Sequence, residues 1–395
     1  MGPVGLGHPK SCCYKATGLF VGTNTEDVEK YRPGCFHTVH LGDRYGDGGR
    51  YKIVHKLGNG GSSTVWPARD RRGKKWVALK IVAAKHSALI GDKEDVQFTF
   101  EGPNGHHLCL VLPVLGPSAS DLSAGYTCRL RPWLARKVGY EAAKAVADLH
   151  SRGLCHGDVT TANILFSLLA FDRLEEADIY NLFGPPAIGQ LETESGEITG
   201  PEAPRYIVKY TIEFLALEVA AGFPPGPASD VWALGCCLFR LRPGTSPFQV
   251  TSPRDLMRDI VQTLGDMPRE WQQILWDEDG RPTREPGKGL PLQKWEDERP
   301  LKDLIYQIWD EPEEIVPPHV YLSDMVWRPT AVKVDNIYLG GYNIEWRSLL
   351  NAMPKIPEHE ADLLFDLLSK IFVYDPETRL TAREVLSRPW FQMDS

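Results

Sequence analysis

Between residues 51 and 112 apolar and polar positions alternate in short runs. Tyr51-Lys52-Ile53-Val54-His55-Lys56-Leu57 leads into a glycine turn, Thr64-Val65-Trp66 follows, and Trp76 to Val82 makes a third run. Val96 to Glu101 alternates, turns at Gly102-Pro103-Asn104-Gly105, and returns in Leu108 to Leu112. A period of two bounded by turn residues predicts strands, and the last two runs a hairpin. After Gly116 the period lengthens. Leu134, Val138, Ala142, Val146 and Leu149 recur at helical spacing, and Gly153 supplies a C-terminal stop. Residues 230–241 predict an apolar helix opened by the capping residues Ser229 and Asp230, and residues 361–372 and 381–386 two amphipathic helices. Residues 1–40, rich in Gly, Pro, Cys and His, carry no period and read as an irregular arm. Strands followed by helices define an α+β protein of two lobes. Residues 41–115 form a small antiparallel lobe, and 116–395 a large helical one with inserts at about 167–209 and 251–350.

Composition narrows the function. A net charge of -8 over 395 residues argues against nucleic-acid binding, which needs a basic face, and suits a basic protein partner. Acidic residues gather at Glu296, Asp297, Glu298, Asp303, Asp310, Glu311, Glu313 and Glu314, against Arg299 and Lys302. Such a run can dock a basic peptide or stand as a solvated face. The eight cysteines include no C-x-x-C pair, so they read as small buried hydrophobes in a reducing compartment. There is no apolar leader, Leu6 stands where myristoylation wants Ser or Thr, and no run approaches a membrane span. A monomer in cytosol or nucleus is expected, without membrane or direct nucleic-acid contact.

Three stretches carry chemistry. Leu57-Gly58-Asn59-Gly60-Gly61-Ser62-Ser63-Thr64-Val65 sits between strands, where glycines let backbone N–H groups approach phosphate oxygens. Val77-Ala78-Leu79-Lys80 follows it on the next strand. No Gly-Lys-Ser/Thr closes the glycine turn into a helix, which excludes a P-loop NTPase. After the long helix comes Cys155-His156-Gly157-Asp158-Val159-Thr160-Thr161-Ala162-Asn163-Ile164-Leu165-Phe166.

Together these stretches resemble a protein kinase. The resemblance implies a two-lobed fold using ATP and Mg2+. Leu57, Gly58, Gly60 and Val65 would cover the nucleotide, Lys80 would hold the α- and β-phosphates, and Leu115 would meet adenine through its N–H at the Leu112-Pro113-Val114-Leu115-Gly116 hinge. Asp158 would accept the substrate hydroxyl's proton and Asn163 would hold magnesium. Other stretches are similar to the fungal SR-protein kinases of the CMGC group: Tyr31-Arg32-Pro33-Gly34, His40-Leu41-Gly42-Asp43, Glu101 to His106, and Pro204-Arg205-Tyr206. So are Ala216-Leu217-Glu218-Val219, Ser229 to Gly235, and Tyr374-Asp375-Pro376-Glu377-Thr378-Arg379-Leu380. The resemblance implies a Glu218–Arg379 salt bridge, a bracing role for Asp230, and phosphorylation of Ser or Thr in Arg/Ser-rich proteins.

Two departures set the alternative. Residues 84–95 are all that remain for the helix whose glutamate would orient Lys80, and Glu94 is the sole candidate partner. No Asp-Phe-Gly follows Asn163; Leu182-Phe183-Gly184 belongs to the insert, and Asp172 and Asp178 are the substitutes on offer. Both gaps fall cleanly between recognisable motifs, as an omitted coding segment would leave them. A chain so altered can instead be a pseudokinase, a protein-binding module without phosphoryl transfer. Gly157 also stands where the family has the arginine that reads a phosphorylated activation loop, and Thr160 where it has a lysine.

Overall fold

In the computed structural model the alternating runs pair as an antiparallel sheet. The structure describes residues 14–17, 26–87, 96–123, 128–168, 171–183, 189–193, 195–207, 226–248, 253–269, 271–277, 282–283, 287, 289–292, 299–311, 325–327 and 354–393. The chain separates into two units, Met1–Gly116 with Ser167–Ile212, and Pro117–Phe166 with Glu213–Ser395.

The smaller unit opens with β1 (Tyr14–Thr17). Its main sheet comprises β2 (Arg44–Tyr45), β3 (Tyr51–Ile53), β4 (Gly58–Asn59), β5 (Ser63–Asp70), β6 (Lys75–Val82), β7 (Gln97–Gly102) and β8 (Gly105–Pro113). The order is β2-β3-β5-β6-β8-β7, with β4 also on β5. The expected strand over 51–57 breaks after Ile53, yet Val54 N–H still donates to Pro67 O and Leu57 N–H to Val65 O. Successive side chains leave opposite faces of a strand. On one face Ile53, Trp66, Ala68, Val77, Leu79, Ile81, Phe98 and Cys109 bury together. Trp76, Ala78 and Lys80 leave by the other. Each side chain of this size contributes about 1.5–3 kcal/mol when fully buried.

Residues 26–40, part of the stretch read as an irregular arm, hold no strand or α-helix and pack into the small unit. Tyr31 and Phe36 are buried with Ala83, Leu191 and Ala203. β1 pairs with β9 (Gly189–Thr193), which pairs with β10 (Tyr206–Ile207), so the N-terminal strand and the insert share a second sheet. The turn residue Asn104 ties these pieces to the hairpin, its side-chain amide donating to Phe36 O at 2.6 Å and Glu202 O at 2.7 Å. Leu41 N–H donates to the Tyr206 hydroxyl at 2.8 Å. The insert therefore packs with the small unit, through the same stretches that carried the family resemblance.

The larger unit is built on α1 (Pro132–Ser151), with Gly153 in the left-handed region just beyond its end. The insert's short α2 (Glu176–Phe183) belongs to the small unit. Then come α3 (Pro227–Leu241), α4 (Pro253–Leu264), α5 (Leu301–Tyr306), α6 (Glu358–Ile371) and α7 (Ala382–Leu386). Trp232, Phe248, Phe372 and Trp390 lie in the core these helices share. Gly235 permits a close approach: a Cβ there would stand 2.5 Å from Ile371 Cγ2. Thr381 caps α7 reciprocally with Glu384. The start of α3 differs from expectation. Gly226 is its N-cap and Pro227 its first residue, while Ser229 lies inside and accepts from Gly226 N–H at 3.0 Å. Asp230 is thereby freed for another role. Cys35, Cys109, Cys236 and Cys237 are buried, and Cys155 is exposed. Among the described residues no helix is long and apolar enough to cross a membrane.

Candidate active site

In the large unit the loop after α1 is held from α3. Both oxygens of Asp230 are used: Oδ2 accepts from His156 N–H at 2.7 Å, and Oδ1 from Gly157 N–H at 2.8 Å. His150, at the end of α1, places Nε2 3.0 Å from Oδ2. Asp230 thus bonds the backbone of the loop, and His150 joins it without having been singled out from sequence. Gly157 sits at φ +74°, a conformation glycine takes freely, with open space where a Cβ would stand. His156 Nδ1 lies 3.1 Å from Asp158 N.

This anchoring leaves Asp158 and Asn163 exposed and adjacent. Asn163 Nδ2 donates to Asp158 O and to Asp158 Oδ2, both at 2.8 Å. Asn163 N–H closes the turn onto Thr160 O at 3.0 Å. Beneath them Val159 and Thr161 are buried, which fixes the loop's base. Two exposed groups held on a buried base are suited to a proton acceptor whose direction must be constant. Asn163 Nδ2 is thus committed to Asp158. Among the described residues no group of three or more acidic, His or Cys side chains could hold a metal. Magnesium prefers near-octahedral oxygen coordination, so the described residues do not complete a site for it.

In the small unit the glycine turn closes on itself: Gly58 pairs with Val65, and Gly60 N–H donates to Ser63 O at 2.8 Å. Lys30 Nζ reaches Gly61 O at 3.0 Å. Lys80 lies directly opposite Val65 in the β5–β6 register. Its candidate partner Glu94 lies outside the described residues, as does Glu218. Arg379, the expected partner of Glu218, is buried, donates to Ala228 O at 2.7 Å and Val373 O at 2.9 Å, and lies over the Trp232 ring.

The two candidate substitutes for the missing aspartate are engaged elsewhere. Asp172 Oδ1 accepts from Trp76 N–H at 2.7 Å, and Asp178 Oδ2 from Glu175 N–H at 2.8 Å. Both are hydrogen-bond acceptors within the small unit. Leu57 and Val65, expected over the nucleotide, pack against a cluster of Val54, Trp76, Ala78, Val114, Phe171 and Ile179. Leu115 opens the strand Leu115–Ser118 just past this cluster. Phe171 and Ile179 thus lie on the face where the resemblance placed the nucleotide. The acidic run is also partly spent: Asp310 pairs with the buried Arg242 at 3.1 Å and Glu311 with Arg131. Asp303 is exposed, while Glu296, Asp297, Glu298, Glu313 and Glu314 lie outside the described residues.

The family model for the protein kinase domain matches residues 99–391. The chain belongs to the protein kinase family. The matched range holds the loop with Asp158 and Asn163 and starts after the glycine turn and Lys80. Among curated proteins the chain is similar to the serine/threonine-protein kinase AFC1 of Arabidopsis thaliana, at 24% identity over 87% of this chain and 71% of that protein. It is similar to the serine/threonine-protein kinase SRPK of Physarum polycephalum, at 24% identity over 95% and 93%. It also resembles the protein kinase dsk1 of Schizosaccharomyces pombe, at 30% over 48% and 39%. Kinases of this family use ATP and a divalent metal.

Proposed function

We propose that the chain is a serine/threonine protein kinase of the SR-protein type, acting on Ser or Thr in basic, Arg/Ser-rich proteins. The observation that carries this reading is the catalytic loop, in which Asp230 holds the backbone of His156 and Gly157 while Asn163 holds Asp158. Asp158 has one carboxylate oxygen without a bond from Asn163, exposed and directed by a rigid base. A substrate hydroxyl within hydrogen-bond reach would give up its proton there. The net charge of -8 suits a basic substrate.

A second reading, a pseudokinase that binds protein partners, is favoured by the engagement of Asp172 and Asp178 in the small unit. Phosphate transfer from labelled ATP with magnesium to an Arg/Ser-repeat peptide separates the two. Incorporation that disappears in Asp158→Asn supports the kinase. Incorporation no greater than that variant's, from folded protein, sinks the kinase and leaves the binding module.

A further inference from the structure

Residues 171–183 do more than connect elements. In the β5–β6 register Val65 stands opposite Lys80, Pro67 opposite Ala78 and Arg69 opposite Trp76, so these side chains share one face. That face holds Val65 and Lys80, two of the residues expected to meet nucleotide. Phe171 and Ile179 close over it; Ile179 is fully buried, and the Phe171 ring meets the Trp76 ring edge-on at 6.2 Å. Leu57, Val65, Leu168 and Leu174 complete the margin.

Polar contacts fasten the segment at its edges. Trp76 is held twice, its backbone N–H donating to Asp172 Oδ1 at 2.7 Å and its indole N–H to Leu174 O at 2.8 Å. Lys52 Nζ reaches both oxygens of Glu176, at 2.8 and 2.9 Å. Apolar side chains in the middle with hydrogen bonds around the rim make a docked ligand's pattern, supplied here by the chain itself.

We propose that residues 171–183 are an internal plug competing with the nucleotide base for the Leu57–Val65–Ala78 surface. Nucleotide binds when the plug leaves, and apparent affinity is the intrinsic affinity reduced by the fraction of molecules in which it has left. The inference rests on the family reading for what this surface binds, and does not require that phosphate be transferred.

The test is titration of the full chain with the fluorescent nucleotide mant-ADP. Phe171→Ala with Ile179→Ala leaves the surface intact and weakens the plug, and should tighten binding at least tenfold. Lys52→Glu should tighten it about threefold, as expected for loss of a partly exposed ion pair, and adding Glu176→Lys should restore the wild-type value. Hydrogen exchange on wild-type protein needs no variant to fold: saturating mant-ADP should speed exchange at amides 171–183. Equal affinity in wild type and all variants would overturn the proposal, as would unchanged exchange at those amides with mant-ADP bound. Absence of binding by any folded form also overturns it, making the segment a permanent part of the core. Tighter binding in the variants without phosphate transfer upholds the plug while removing the kinase reading.

Discussion

Asn163 grips Asp158 at two points, its single side-chain amide nitrogen reaching both the carbonyl and the carboxylate of the acid five residues before it. Both residues are exposed, so the contact adds little to global stability, and its effect is on direction. Asn163→Ala should leave the thermal midpoint nearly unchanged, within about 0.5 kcal/mol in stability. Amide exchange across 156–163 should rise. A large fall in stability would show instead that the loop is part of the fold's support.

Asp230 is a different case, because it is buried and its acceptors cannot be replaced cheaply by water. Asp230→Ala strands the N–H groups of His156 and Gly157. Hydrogen bonds to a charged group contribute about 1.5–3 kcal/mol each. Urea unfolding should therefore register a loss of about 3–6 kcal/mol. An unchanged midpoint would mean that the loop is held by other contacts.

Glu26 and Lys56 form an ion pair with both side chains buried, and Tyr31 donates its hydroxyl to Glu26 at 2.6 Å. Burial lowers the Lys56 pKa, while Glu26 works to keep it charged. Glu26→Gln leaves that cation without its counter-charge and should cost about 3–5 kcal/mol. Adding Lys56→Met should recover most of the loss, measured by denaturant unfolding. No recovery would place the cost in a weakened Tyr31 bond, now to a neutral amide oxygen rather than a carboxylate.

The small unit should be sensitive to acid. Burial, aided by neighbouring His107 and His40, depresses the His37 pKa from 6.5 to about 3. Burial also lowers His107, against the pull of the Val82 carbonyl. A depressed histidine is neutral in the fold and takes a proton more readily when unfolded, so stability is fully present above pH 6.5. It is lost as pH falls toward 3. His37 alone accounts for about 2 kcal/mol between pH 6.5 and 5, at about 1.4 kcal/mol per pH unit. Thermal melts across that range should slope downward with acidity, and His37→Gln should flatten the slope. A flat wild-type profile would contradict the burial argument.

Local order was legible where a period or a cap dictates it. Alternation marked Trp76 to Val82 as a strand, helical spacing found α1, and Gly153 marked its end. The site loop was legible too, because Asp158 and Asn163 lie on one short segment. What covers the Trp76 face was not, since alternation assigns a side chain to a face without naming its partner across a long chain separation. Spacing at Leu168, Phe171 and Leu174 was the available signal. Tyr31 and Phe36 escaped for the same reason: their burial depends on Leu191 and Ala203, and no repeat within 26–40 announces it. The start of α3 was misplaced because Ser229 and Asp230 look like caps, whereas the cap is Gly226 and the acid serves the loop.

The small unit is assembled from two stretches of chain separated by residues 117–166, which belong to the other unit. During synthesis its sheet is therefore complete in sequence at Pro113 while Phe171 and Ile179 do not yet exist. At synthesis rates of about 5–20 residues per second, the Trp76 face waits several seconds for its cover. Throughout that interval the nascent chain carries an apolar face whose cover has yet to be made.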